Sequence, residues 1–83
     1  MTGSESVAAA RRIAALPTSD LRRDALRRID PAFQDLVRQT ATNLRSVALH
    51  WMERASHGLP IEEIPPAVRE TIEELFPGTL RKV

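Results

Sequence analysis

Hydrophobic positions recur along this chain at spacings of three, four and seven, the period of an α-helix. Alternating apolar and polar residues never persist long enough to make a strand. The clearest run covers residues 31–57. On a wheel of about 100° per residue, Phe33, Val37, Leu44, Val47, Ala48, Trp51 and Ala55 centre one side, together with Thr40. Leu36 widens this arc one way, and Ala41 and Met52 widen it the other. Asp35, Gln39, Asn43, Ser46, His50, Glu53 and His57 hold the opposite side, with Leu49 stranded among them. Asp30-Pro31 reads as a helix start, because aspartate caps free amides and proline at the first helical position gives up no hydrogen bond. His57-Gly58-Leu59-Pro60 reads as a stop, with glycine in the left-handed position and proline barring continuation. Such a helix is about 40 Å long at about 1.5 Å per residue.

The flanking segments are shorter helices. Residues 1–5 are expected to be disordered, with Thr2 or Ser4 as the cap of a helix over residues 6–16. Its apolar members, Val7, Ala10, Ile13 and Ala14, are mostly small and bury little area. Pro17 ends it, and Thr18, Ser19 and Asp20 are three consecutive candidate caps for a helix over residues 19–29. Leu21, Ala25, Leu26 and Ile29 form the stripe of that helix. Residues 61–64 suit a single turn, and Pro65-Pro66 opens a helix over residues 66–76 with the stripe Val68, Ile72, Leu75 and Phe76. The pattern predicts a single all-α domain of three to four helices, residues 1–83, built on one long central helix.

That central helix carries more apolar surface than its neighbours can cover. The arc spans nearly half the circumference, where a helix facing one neighbour needs about 100°. A chain of 83 residues also buries only about 60% of its unfolded surface. Pairing with a second copy would close the deficit, so a helical-bundle homodimer is expected. Its interface would comprise Phe33, Val37, Leu44, Val47, Ala48, Trp51, Met52 and Ala55, with Trp51 as anchor.

Charge adds a second candidate surface. The net charge is +1, but Arg11, Arg12, Arg22, Arg23, Arg27 and Arg28 crowd the first third against Asp20 and Asp24. Clustered guanidinium groups suit phosphate or an acidic partner. A near-neutral total and the lack of interleaved aromatics set nucleic acid behind a protein partner. The last third leans acidic through Glu62, Glu63, Glu70, Glu73 and Glu74, which read as a solvated face.

Reactive chemistry finds little support. The chain has no cysteine, which removes disulfides, thiolate metal sites and cysteine nucleophiles. His50, Glu53 and His57 have spacings that a helical metal site could use, but they sit on a polar face and need a further ligand, so no metal is expected. Gly3, Gly58 and Gly78 are isolated and form no phosphate-cradling loop. No apolar run is long enough to span a membrane, and the first residues lack the basic-then-apolar order of a secretion signal, so the expected setting is cytoplasmic. The sequence points to a non-catalytic protein–protein interaction module without a cofactor: an adaptor, a small regulatory subunit or an assembly factor, with a further protein partner besides its own copy. A small nucleic-acid-binding regulator using residues 11–28 is the alternative, and an accessory subunit of an enzyme complex is the next.

Overall fold

In a computed structural model describing residues 1–82, the chain folds into four α-helices: α1 (Gly3–Ala14), α2 (Ser19–Arg27), α3 (Gln34–Ser56) and α4 (Pro66–Leu75). Short 3-10 turns follow α3 at Ile61–Glu63 and α4 at Thr79–Lys82, and the described residues contain no strand. The all-α class and the long central helix match the hydrophobic pattern.

Local hydrogen bonds place the helix ends. Thr2 Oγ1 accepts from the Glu5 N–H at 3.1 Å. This cap pulls Gly3, Ser4 and Glu5, expected to lie outside the helix, into the first turn of α1. Of the three candidate caps before α2, Thr18 takes the role, its Oγ1 accepting from the Leu21 N–H at 3.2 Å. The start of α3 differs from the expectation. Residues 30–33 form a turn, in which the Phe33 N–H donates to the Asp30 carbonyl at 2.8 Å and the Ala32 N–H donates to Asp30 Oδ1 at 3.0 Å. The fixed φ of Pro31 suits the second position of a turn as well as the first of a helix. The helix therefore begins at Gln34, whose side-chain amide donates back to the Ile29 carbonyl at 3.0 Å. At the other end the stop is as read from the sequence. The Leu59 N–H donates to the Arg54 carbonyl and the Gly58 N–H to the Ala55 carbonyl, each at 3.1 Å, with Gly58 at φ +105°.

The three shorter helices all pack on α3. The molecule measures 42 × 24 × 16 Å between Cα atoms. Helices pack with their axes about 8–10 Å apart and have Cα cylinders of about 2.3 Å radius, so the thinnest dimension holds two helical layers. One side of α3 thus meets its neighbours and the other meets solvent. Half of the core is made of small side chains. Ala9, Ala10 and Ala14 of α1 and Ala41, Ala48 and Ala55 of α3 supply half of the twelve buried apolar residues among those described. The largest fully buried side chains are Ile64, Ile72 and Val37. Arg45 ties the layers together: its guanidinium donates to the Ala14 carbonyl at 2.8 Å and lies 5.2 Å from the centre of the Phe76 ring. None of the described helices is long and apolar enough to cross a membrane.

Candidate interaction site

The helical spacing of α3 splits its apolar residues between two directions. Val37, Ala41, Ala48 and Ala55 point into the body of the chain and are buried. Phe33, Leu36, Thr40, Leu44, Val47 and Trp51 follow one another at three- and four-residue steps along an adjoining strip. Leu36 and Val47 in that strip are 51% and 44% exposed, and the other four are half-buried. Trp51 is contacted by two neighbours on its own helix. Its ring meets the His50 ring edge-on at 5.8 Å between centres, and the Arg54 guanidinium lies 4.8 Å from the indole centre.

The eight residues singled out as an interface therefore divide. Val37, Ala48 and Ala55 are closed inside the chain's own fold, Phe33, Leu44, Trp51 and Met52 are partly covered by it, and Val47 is open. Leu36, which the wheel placed at the edge of the arc, belongs with Val47. Leu49 lies on the other side of the helix and is exposed.

The arginines are distributed among several partners. Arg11 pairs with Glu74 at 3.1 Å, Arg23 with Asp20 at 3.4 Å, and Arg27 and Arg28 both with Asp24, at 3.9 and 3.2 Å. These are exposed pairs, each worth under about 1 kcal/mol. Arg12 has no ion pair among the described residues. Arg22 turns inward, donating to the Leu16 carbonyl at 2.6 Å and to Ser19 Oγ at 3.2 Å. It meets there two arginines outside the segment flagged in the sequence, Arg38 and Arg45. Together with Arg23 they surround a groove of about 210 Å³ between α2 and α3. Burial first, and then the like charge of Arg22, lowers the pKa of Arg45 from its ordinary value. The wheel hid this grouping, because α2 and α3 come together only in the folded chain.

His57 Nε2 is 4.0 Å from Glu53 Oε1, and both side chains are well exposed. With His50, Arg54 and Leu59 they line a shallow open depression of about 420 Å³. Among the described residues no three histidine, cysteine or carboxylate side chains come together so as to hold a metal ion. Of the glutamates on the last helix, Glu74 is engaged by Arg11. Compared with models of known families, with curated proteins and with solved structures, the chain matches none.

Proposed function

We propose that this chain is a non-catalytic protein–protein interaction module whose working surface is the outward strip of α3, and that the strip pairs with a second copy. The observation that carries the reading is an inversion of size. Alanines take half of the buried apolar positions, while Leu36 and Val47 stand in solvent beside the half-buried Phe33, Leu44 and Trp51. The overall shape agrees. The accessible surface of 5536 Å² exceeds the roughly 5,000 Å² typical of a globular monomer of this mass. The radius of gyration of 13.7 Å likewise exceeds the roughly 12 Å of a compact chain of this length. A two-fold pairing of α3 helices adds the missing layer and makes a four-helix-like core. The arginine-bearing α2 and the glutamate-bearing α4 then remain outward for a further protein. An adaptor, small regulatory subunit or assembly factor working in the cytoplasm fits this arrangement.

Trp51 is the sole tryptophan, and it reports on the strip directly. Its emission should shift to the blue as protein concentration rises, because pairing removes water from the indole. Val47→Asp should hold the spectrum at the dilute position at every concentration, since a carboxylate buried in an apolar seam has no partner. Emission that is independent of concentration and unchanged by Val47→Asp contradicts the proposal.

A further inference from the structure

The groove between α2 and α3 has a charge pattern that the fold does not balance. Arg22, Arg23, Arg38 and Arg45 line it. Arg23 and Arg38 pair with Asp20 and Asp35, whose side chains are 92% and 90% exposed and lie on the rim. Arg22 and Arg45 have no carboxylate partner among the described residues. Each is instead held by a carbonyl at the end of α1, Leu16 and Ala14 respectively. Those carbonyls fix the two guanidinium groups in place, and the groove keeps a surplus of two positive charges over its rim aspartates. The hydroxyls of Ser19 and Thr42 add polar contacts, and Ile13, Leu26 and Ala41 form an apolar floor. Ser19 is also the first residue of α2, so the positive end of that helix dipole adjoins the groove.

We infer that this groove binds a phosphoryl dianion, held between Arg22 and Arg45. A doubly charged oxyanion matches the surplus charge and relieves the repulsion between the two fixed guanidinium groups. Arginine suits the role because its planar fork meets two phosphate oxygens at once. The volume of about 210 Å³ is below the roughly 300–1,000 Å³ of a drug-sized pocket, so the ligand is free phosphate or a small monoester whose organic part rests on the apolar floor. This site uses different residues from the strip on α3 and stands or falls separately from it.

The test is calorimetric titration of the full chain with inorganic phosphate and with phenyl phosphate near pH 7.5, where a monoester carries close to two negative charges. Sodium chloride at matched ionic strength is the blank. Saturable binding of either phosphate at one site is expected, weakened about tenfold or more by Arg22→Gln and also weakened by Arg38→Gln. Arg12→Gln, away from the groove, should bind as the parent does. Arg45→Gln also removes the contacts to Ala14 and Phe76, so the exposed Arg38 serves as the second variant that leaves the core intact. Tighter binding of phenyl phosphate identifies a monoester as the source of the group; equal or weaker binding identifies free phosphate. No heat beyond the chloride blank, or binding unchanged in both Arg22→Gln and Arg38→Gln, overturns the inference and leaves the two half-buried arginines as caps of α1 alone.

Discussion

Replacing Ile72 with alanine should cost about 3–4 kcal/mol of folding stability. Ile72 is fully buried on α4, where that helix packs on α3, and among the described residues only Ile64 and Val37 share its standing as large, fully covered side chains. The substitution removes three carbons from a site whose surroundings are already short of bulk. The cavity left behind adds to the lost transfer energy. A domain of 83 residues has a total stability of roughly 4–12 kcal/mol, so the loss is a large share of the whole. The thermal midpoint should fall by about 15 °C or more, read by circular dichroism at 222 nm. A loss below about 1 kcal/mol would show that Ile72 does not anchor the core.

Ala48→Leu should be nearly as damaging, for the opposite reason. Ala41, Ala48 and Ala55 lie seven residues apart along the buried side of α3, and α1 presents Ala9, Ala10 and Ala14 to the same core. Alanine-lined faces let helices approach at the short end of the usual 8–10 Å range. Ala48 has no exposed surface, so the added carbons of leucine meet packed atoms. Overpacking of this kind costs about 1–3 kcal/mol, occasionally more. Val47→Leu is the matched control one position away, on the open strip, where the same growth in size should leave protomer stability within about 0.5 kcal/mol. Urea unfolding of the two variants separates the readings. Equal midpoints would mean that Ala48 is not enclosed by the chain itself.

This pair of neighbours shows where sequence reading stops. The period of residues 31–57 gave the long helix, and the Thr2, Thr18 and Gly58 signals were legible because each acts through bonds within a few residues. Position 31 misled because proline fits a turn and a helix start equally, and the choice fell to the Asp30 side chain bonding the Ala32 amide. On the wheel, Val47 and Ala48 belong to one arc. Only the placement of α1 and α4 decides that one is covered and the other is not. The arginine groove was hidden for the same reason. Arg22 and Arg23 stand out as a local cluster, but Arg38 and Arg45 are isolated residues in a helix until α2 docks beside them.

The outward strip of α3 is proposed to join this chain to its own copy. Light scattering after size exclusion, at about 5 and about 200 µM protein, tests it most directly, because an association driven by mass action must depend on concentration or be complete. The expected mass is near twice the 9.3 kDa protomer at the higher concentration, falling to the protomer mass in Leu36→Asp/Val47→Asp with helical content retained. A single protomer mass for the parent chain at both concentrations would contradict it.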